Sequence, residues 1–474
     1  MNFDYYFKLG LFYSVLKYLA MGMAVIRTIY IAVILGPELL GEYALILLFF
    51  EYMNYANLGV FDSMHRDIAL EIDNKEKKGY VSKLMGNALS FTLIVISILV
   101  LISLIFYNLP NNFIAGEFYK YYLYLIGMLV IYQLKKFLSN YLRLHDKFYY
   151  LAVIEFIQQT IVLIVVLSFI EEYSIYAVLF SVFLSNAFFL AVGFYYVKDV
   201  RLILDIQQIK YLIITGLPLM LYGLFTAITI SIDRLFIAAF FDSRLPLGYY
   251  QLGYNIAHGL FIAFNSITYL FYPKWLKHFN QKNKVEGSIF TSVNKQTNIT
   301  ECLLIILSII GITLVPSFIN IFAVEYQSSI LISQIILLSL AMNGMMFFSS
   351  TFLVSNNYQL RMLPITLFTI IFAVLSNYIL LNLGYGLYGI AVATLSSYYF
   401  YGLQVYFFLT LINKVSFFKT IREIFFRPAI FTFITLIILW EKFSLFWIWF
   451  VFFIFYLKPI TKLVRERYDP SYHS

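Results

Sequence analysis

Arg27-Thr-Ile-Tyr-Ile-Ala32, followed by Leu40-Gly41-Glu42-Tyr43-Ala44-Leu45, forms a pattern that returns 207 positions later as Arg234-Leu-Phe-Ile-Ala-Ala239 and Leu247-Gly248-Tyr249-Tyr250-Gln251-Leu252. In each copy the glycine follows the arginine by fourteen positions, and Arg, Ala, Leu-Gly, Tyr and Leu fall in register. The repeat indicates one ancestral unit used twice. A charge at membrane depth is costly and is usually kept for a function. The two arginines therefore predict a cationic site between two lobes of a carrier whose cargo is anionic.

The composition is that of a polytopic membrane protein. The 474 residues are 62% hydrophobic and only 12% charged, whereas soluble domains carry about 25% charged residues. The single cysteine, Cys302, excludes an internal disulfide, and the five histidines lack zinc-ligand spacing. We therefore expect no metal site and no cofactor.

A helix that crosses a bilayer needs about 20 apolar residues. Fourteen segments fit this length, although the last two are short and could form a re-entrant or tilted pair. The predicted spans are approximately 9–35, 41–62, 84–107, 121–143, 149–170, 173–197, 211–240, 245–273, 298–320, 328–354, 363–383, 386–412, 428–441 and 444–458.

The basic residues orient these spans. With an internal N-terminus, 27 of the 33 Lys and Arg residues fall on cytoplasmic segments and adjoining helix ends, and three fall in outer loops. This bias predicts a multi-pass membrane protein with both termini in the cytoplasm. Because the net charge of +8 is accounted for by this orientation, we expect no nucleic-acid partner.

The predicted fold class is an all-α polytopic membrane protein with about 14 transmembrane helices. Two six-helix lobes in a pseudo-twofold arrangement span residues 1–205 and 206–412, and residues 413–474 add two helices and a cytoplasmic tail. The sequence contains no GxxxxGK[ST] motif, so we do not expect an ATP-driven pump. The outer loops are too short for a folded catalytic domain, and we do not expect an enzyme.

Three cations are the predicted substrate-binding residues: Arg27, Arg234 and Lys17. Each arginine lies about eight residues from the outer end of its helix, roughly 12 Å deep at 1.5 Å per residue. A structural interpretation is that they extend to the interface or pair with an acid. The planar donor fork of arginine suits phosphate and favours a shared anion site. Lys17 precedes Arg27 by ten residues and could border the same cavity.

Two acids are candidates for ion coupling or switching. Glu51 lies near the middle of predicted helix 2, where it could pair with Arg27 or Lys17, or exchange protons during transport. Asp233 points about 100° away from Arg234 on an ideal helix, so we do not expect a simple local pair. It could anchor helix 7 to a neighbour or act as a second proton site. Proton or sodium coupling is therefore a hypothesis that rests on these two carboxylates.

Two further polar groups stand out. Asp62 and Arg66 lie where helix 2 leaves the membrane, as part of a solvated interface cluster or of an inner gate. Glu155, Gln158 and Gln159 share one face of helix 5 at i, i+3 and i+4. We expect that face to turn towards a wet cavity or to pack against another helix through polar contacts.

Several motifs carry a family resemblance. Leu35-Gly36-Pro37-Glu38-Leu39-Leu40-Gly41-Glu42-Tyr43, followed by Asn57-Leu58-Gly59, resembles the start of Wzx-type polysaccharide flippases. Gly216-Leu217-Pro218 with Ser231-Ile232-Asp233-Arg234 is similar to their helix 7, and Gly384-Tyr-Gly386-Leu-Tyr-Gly389-Ile-Ala391-Val-Ala393-Thr394 to their helix 12. The resemblance covers nearly the whole chain and extends to the multidrug/oligosaccharidyl-lipid/polysaccharide exporter superfamily.

This resemblance implies a two-lobed flippase for O-antigen, capsule or exopolysaccharide synthesis, including lipopolysaccharide. It would move undecaprenyl-pyrophosphate-linked oligosaccharide repeat units from the cytoplasmic to the outer leaflet by alternating access. Its implied partners are that glycan, membrane lipids and a glycan polymerase complex. A lipid II flippase, a cation-coupled small-molecule exporter and a membrane glycan polymerase remain alternatives, and Glu51 keeps the exporter open.

Overall fold

The computed structural model describes residues 3–71, 78–107, 116–145, 147–197, 200–279, 288–356 and 358–468. Within these ranges the chain is helical and forms no strand. The α-helices are α1 (Phe3–Met53), α2 (Val60–Glu71), α3 (Lys78–Tyr107), α4 (Tyr122–Leu144), α5 (Phe148–Tyr173), α6 (Ile175–Tyr196), α7 (Ile206–Phe240), α8 (Leu245–Phe279), α9 (Ser288–Phe322), α10 (Ser329–Met345), α11 (Phe347–Ser355), α12 (Gln359–Asn382), α13 (Gly386–Asn413), α14 (Phe417–Ile424), α15 (Phe426–Trp440) and α16 (Phe446–Tyr468). Short 3-10 helices occupy Gly116–Tyr121 and Val324–Tyr326.

Each of the fourteen predicted spans is largely helical in the described residues. By length and apolarity alone, eight of the described helices could cross a membrane, or nine if the bent pair of α14 and α15 counts as one span. The long runs of apolar side chains and the satisfaction of backbone groups inside each helix fit a lipid environment. The chain is therefore a multi-pass, all-α membrane protein.

The first two predicted spans are two helices that meet at a sharp kink within α1, without an intervening loop. At Gly36 the backbone takes φ 71° and ψ 172°, which only glycine adopts readily, and Pro37 follows it. The predicted helix 2, residues 41–62, was wrong at its C-terminal end. The helix ends at Met53, and turns follow until α2 begins at Val60. Gln133 on α4 donates to the carbonyl oxygen of Met53, which satisfies one of the groups released there.

Beyond these turns α2 crosses the first part of α7 with the two backbones in contact. A Cβ atom on Gly59, which has φ +79°, would lie 2.3 Å from the carbonyl oxygen of Gly216. Nearby, the Tyr55 hydroxyl donates to the carbonyl oxygen of Gly223 at 2.9 Å. Ser63 Oγ lies 2.5 Å from Thr215 Oγ1. Glycine is required at the crossing because no side chain fits between the two backbones.

The chain divides into two compact units, Met1–Ala227 and Ile228–Ser474. The division falls inside α7, so the two parts of this helix belong to different units. In the first unit, a core around Phe61, Phe137 and Phe189 joins α2, α4 and α6, with the rings of Phe61 and Phe137 5.8 Å apart. The six-helix lobes 1–205 and 206–412 and the addition 413–474 stay predictions.

In the second unit, a buried polar cluster connects the C-terminal helices to α9. Arg427 on α15 donates from Nε to Glu301 Oε1 at 2.8 Å and from Nη2 to Oε2 of the same carboxylate. Tyr456 on α16 donates to Glu301 Oε1 at 2.7 Å. Trp449 also donates to Thr313 Oγ1 at 3.1 Å. Hydrogen bonds of this kind hold helices together in an apolar environment, where other polar partners are scarce.

Candidate functional site

A cavity of about 290 Å³ lies in the first unit between α1, α4 and α5. Its wall combines small apolar residues with charged and amide side chains. The lining residues are Leu16, Lys17, Ala20, Met21, Ala24, Lys135, Ala152, Glu155, Phe156, Gln158 and Gln159. The polar face predicted for helix 5 therefore borders a cavity.

The local sequence explains why a space remains here. Ala20 and Ala24 are one turn apart on α1, and Ala152 faces the same cavity from α5. Their methyl groups do not fill the gap between the two helices. Glu155 follows Ala152 by three positions, so the same face of α5 that leaves the space also supplies its carboxylate.

Lys17 lies at one end of this cavity. Its Nζ atom is 3.7 Å from Glu155 Oε2, and the two side chains are 32% and 27% exposed. At this distance and exposure the ion pair is loose and each partner remains accessible from the cavity. Lys17 on α1 thus borders the cavity and contacts α5.

Arg27 continues the same side of α1. It follows Ala24 by three positions, and its Nη1 atom donates to Gln159 Oε1 at 2.7 Å. Tyr43 and Tyr132 are close enough to interact electrostatically with its guanidinium group. Arg27 therefore lies next to the cavity and contacts it through Gln159, whose side chain lines the cavity.

Lys135 and Gln158 connect the cavity to α6. Lys135 Nζ donates to Asn186 Oδ1 at 2.8 Å and lies 5.3 Å from the centre of the Phe189 ring. Gln158 Nε2 donates to the carbonyl oxygen of Ser185 at 3.0 Å. Gln158 belongs to the polar face predicted for helix 5, but only the packing of the helices places it with Lys135 and Lys17 around one space.

The residues predicted as an inner gate lie on α2. Asp62 Oδ1 is 3.6 Å from Lys136 Nζ, and the same amine donates to the carbonyl oxygen of Asn54 at 3.0 Å. Lys136 thus joins α4 to both sides of the turns that follow α1. The side chain of Arg66 lies outside the described residues, so its part in a gate stays a prediction.

Glu51 does not lie in the middle of a helix. It precedes the end of α1 by two positions, and its carbonyl oxygen accepts a bond of 3.3 Å from Asn54 Nδ2. It also interacts electrostatically with Tyr55. Glu51 is therefore placed beside a break in the helix, where a conformational change would move it.

Arg234 is buried in the second unit, with only 5% of its surface exposed. Its guanidinium carbon lies 4.1 Å from the centre of the Tyr254 ring, and Nη2 donates to the carbonyl oxygen of Ile230 at 3.3 Å. Stacking of a guanidinium on an aromatic face stabilises a cation away from water. The ring of His258 lies 5.7 Å beyond that of Tyr254.

The expectation for Asp233 was partly wrong. Its Oδ1 atom is 3.6 Å from Arg234 Nε and accepts the backbone N–H of Arg234 at 2.7 Å, so the two residues do form a local pair. A flexible guanidinium chain can bend back, which an argument from helix angles ignores. Asp233 also links α7 to α8 and α13, because its Oδ2 atom accepts the Tyr250 hydroxyl at 2.6 Å and Thr394 Oγ1 at 3.3 Å.

The family model described as "Polysaccharide biosynthesis protein" matches residues 8–274, which is 267 of 474 residues. The chain belongs to this polysaccharide biosynthesis protein family. The match includes every residue of the first-unit cavity as well as Arg234 and Asp233. No curated protein sequence matches the chain.

Solved structures of membrane transporters share the fold of this polysaccharide biosynthesis family member. Lipid II flippase MurJ in an inward closed conformation has a TM-score of 0.69 at 15% identity, over 96% of this chain and 99% of that chain. An inward-facing multidrug resistance MATE family transporter of the MOP superfamily gives 0.67 at 14% identity, over 85% and 96%. An outward-facing multidrug resistance MATE family transporter of the MOP superfamily gives 0.62 at 15%, over 86% and 96%. The chain shares the fold of these transporters.

Proposed function

We propose that this protein is a flippase, and not an enzyme, which moves an undecaprenyl-pyrophosphate-linked oligosaccharide from the cytoplasmic to the outer leaflet of the bacterial inner membrane. The observation that carries the proposal is a cavity with two lysines, in contact with an arginine, inside a bundle of apolar helices. Membership of a polysaccharide biosynthesis family supports a glycan as the cargo.

The cavity has the chemistry that a phosphorylated headgroup requires. Lys17 and Lys135 present ammonium groups, and the amides of Gln158 and Gln159 add donors that can bind phosphate or sugar hydroxyl oxygens. Its volume of about 290 Å³ accommodates a pyrophosphate group or a single sugar ring, but not a long glycan. We infer that it holds the charged end of the headgroup while the polyprenyl tail stays in lipid.

The energetic argument is that a pyrophosphate and a sugar chain cannot cross hydrocarbon unaided. Each buried polar group without a partner costs several kcal/mol, and an isolated charge costs far more. A polar cavity that opens to each side in turn removes that barrier. The solved inward-facing and outward-facing transporters of similar fold support alternating access as the mechanism.

Arg27 and Arg234 are proposed as two further anion contacts on the route. They occupy equivalent positions in the internal repeat, one in each unit, and each interacts with an aromatic residue of its own unit. An aromatic partner holds a guanidinium in place without neutralising its charge. At Arg234 a phosphate oxygen would compete with the Asp233 carboxylate, which lies 3.6 Å from Nε.

Coupling to protons or sodium is proposed at Glu51 and Asp233. Glu51 adjoins the break after α1, and Asp233 joins α7, α8 and α13 through Tyr250 and Thr394. Protonation or cation binding at either carboxylate would therefore change helix contacts. Asp62 and Arg66 remain the proposed inner gate. Both termini are proposed to be cytoplasmic, and a glycan polymerase complex is a proposed partner.

A lipid II flippase is the second candidate, because the similarity to MurJ extends over 96% of this chain. Its cargo has the same pyrophosphate, so the cationic cavity serves both functions equally well. A cation exporter is less suited to the lysines of this cavity, since like charges repel. The glycan attached to the lipid is what separates the two flippases.

The deciding experiment is leaflet-resolved transport in proteoliposomes. Undecaprenyl-pyrophosphate carrying a labelled oligosaccharide is compared with labelled lipid II, in wild type and in Arg27→Ala and Arg234→Ala variants. Movement of the oligosaccharide lipid that falls at least tenfold in folded variants supports the proposal. Movement of lipid II alone would replace it with the second candidate, and movement of neither, with well-folded protein and an imposed ion gradient, would refute both.

A further inference from the structure

We propose that Glu155 is an internal counter-ion that occupies the anion site of the first-unit cavity until a phosphate group displaces it from Lys17. This inference rests on the proposed function and deepens it, because it assigns a role in binding and release to a residue outside the set predicted from sequence. It commits the cavity to a phosphate-type anion as its ligand.

The geometry places the Glu155 carboxylate where a ligand anion would bind. One of its oxygens lies 3.7 Å from Lys17 Nζ, and it also interacts electrostatically with Lys135 on the other side of the cavity. All three residues line the same space of about 290 Å³. Glu155 is thus the anion that the two lysines share when the cavity holds no ligand.

The charge balance favours displacement rather than simple coexistence. Two lysines and one glutamate leave the cavity with one net positive charge, which is too little to neutralise a pyrophosphate. A phosphate group that replaces the Glu155 carboxylate beside Lys17 would exchange one anionic contact of this lysine for another. The side chain is able to rotate because 27% of it is exposed.

The loose contact distinguishes this pair from a structural ion pair in the same chain. Arg427 and Glu301 make two hydrogen bonds through a planar fork, and the Glu301 side chain is fully buried. Lys17 and Glu155 instead meet at 3.7 Å, beyond the usual range of a hydrogen bond, with both side chains partly exposed. A pair of this kind contributes little to stability and exchanges partners readily.

An internal counter-ion has a clear benefit for a carrier. A cavity that is purely cationic would hold a pyrophosphate too tightly to release it on the other side. A carboxylate that returns to Lys17 competes with the departing ligand and so accelerates release. Removing its charge should therefore strengthen binding and slow transport, which is the opposite of what loss of a binding residue does.

The test measures binding of inorganic pyrophosphate to purified full-length protein in nanodiscs by calorimetry. We expect Glu155→Gln to bind about tenfold more tightly than wild type, a change of about 1.4 kcal/mol. Glu155→Gln combined with Lys17→Ala should lose most of this gain, since the Lys17–Glu155 interaction disappears when one partner is absent and only the interaction of Glu155 with Lys135 remains. Glu172→Gln, at an exposed acid on the same helix, is the matched control and should bind as wild type does.

Unchanged or weaker binding by folded Glu155→Gln would overturn the proposal, as would a gain that survives removal of Lys17. If Glu155→Gln does not fold, Glu155→Asp is used instead, because it keeps the negative charge but moves the carboxylate away from Lys17. We expect this variant to bind pyrophosphate more tightly than wild type, and binding of wild-type strength or weaker would overturn the proposal. Leaflet-resolved transport separates this inference from the function. If wild-type protein binds pyrophosphate but moves no lipid-linked glycan, the proposed flippase function is refuted. The change in pyrophosphate affinity caused by Glu155→Gln tests only the counter-ion role of Glu155.

Discussion

Arg427 and Glu301 are joined by two hydrogen bonds between α15 and α9, and the Glu301 side chain is fully buried. The pair connects the C-terminal helices to the body of the second unit. Tyr456 donates to the same carboxylate, so three helices meet at one acid. The Glu301 carboxylate therefore accepts three hydrogen bonds, two from Arg427 and one from Tyr456, and the role of the ion pair is structural.

Removing one partner of this pair should be strongly destabilising. Arg427→Ala leaves Glu301 buried without its counter-charge, and we expect a loss of about 3–5 kcal/mol in the free energy of unfolding. Thermal unfolding of detergent-solubilised protein measures it. Glu172→Gln, which removes an exposed acid, is the control and should change the midpoint little. An unaltered midpoint for Arg427→Ala would show that the pair does not hold these helices together.

Gly59 should tolerate no side chain. Gly59→Ala places a Cβ atom 2.3 Å from the carbonyl oxygen of Gly216 and demands φ +79° of an alanine. We expect a loss of about 3 kcal/mol or more, from clash and backbone strain together. Gly127→Ala is the control, since a Cβ there meets nothing within 4 Å and alanine favours a helix. Equal stability of the two variants would contradict the close crossing of α2 and α7.

The Tyr250 hydroxyl should stabilise the second unit through Asp233. Tyr250→Phe removes a donor at 2.6 Å from a buried carboxylate, and we expect a cost of about 1–3 kcal/mol. Thr394 remains as a weaker donor at 3.3 Å and limits the loss. Tyr378→Phe removes a hydroxyl from a side chain that is 52% exposed and serves as the control. Thermal midpoints of the three proteins decide the point.

The ring of Tyr254 should hold Arg234 for transport. Tyr254→Phe keeps an aromatic face beside the guanidinium, whereas Tyr254→Leu removes it. A cation–π contact of about 0.5–2 kcal/mol corresponds to a roughly 2- to 30-fold effect. We therefore expect leaflet-resolved transport to fall by that factor in Tyr254→Leu and to persist in Tyr254→Phe. Equal transport by both variants would remove Tyr254 from the site.

Filling the first-unit cavity should block ligand binding without unfolding the protein. Ala24→Leu places an isobutyl group in the space between α1 and α5, and we expect pyrophosphate binding to fall at least about tenfold, since the ligand must displace it. Val33→Leu adds one methylene at an exposed position of the same helix and is the control. Wild-type binding by Ala24→Leu would place the anion site elsewhere.

The helical membrane fold, the internal repeat and the polar face of α5 could all be predicted from the sequence alone. These features follow from local patterns: a span is recognised from about 20 consecutive apolar residues, and a shared helix face from spacings of three and four. Gly36-Pro37 likewise predicts a bend from local sequence alone, independent of how the rest of the chain packs.

Which charged groups pair with each other could not be predicted from the sequence and is known from the tertiary structure. Lys17 and Glu155 are 138 positions apart, and Glu301 and Arg427 are 126 apart, so their pairing depends on which helix faces pack together. The break after Met53 also needs a distant partner, because Gln133 satisfies the carbonyl group that the missing turn releases. Hydropathy predicts which residues lie in the membrane. It does not predict which side chains pair, because the partners come from distant parts of the chain that are brought together only by folding.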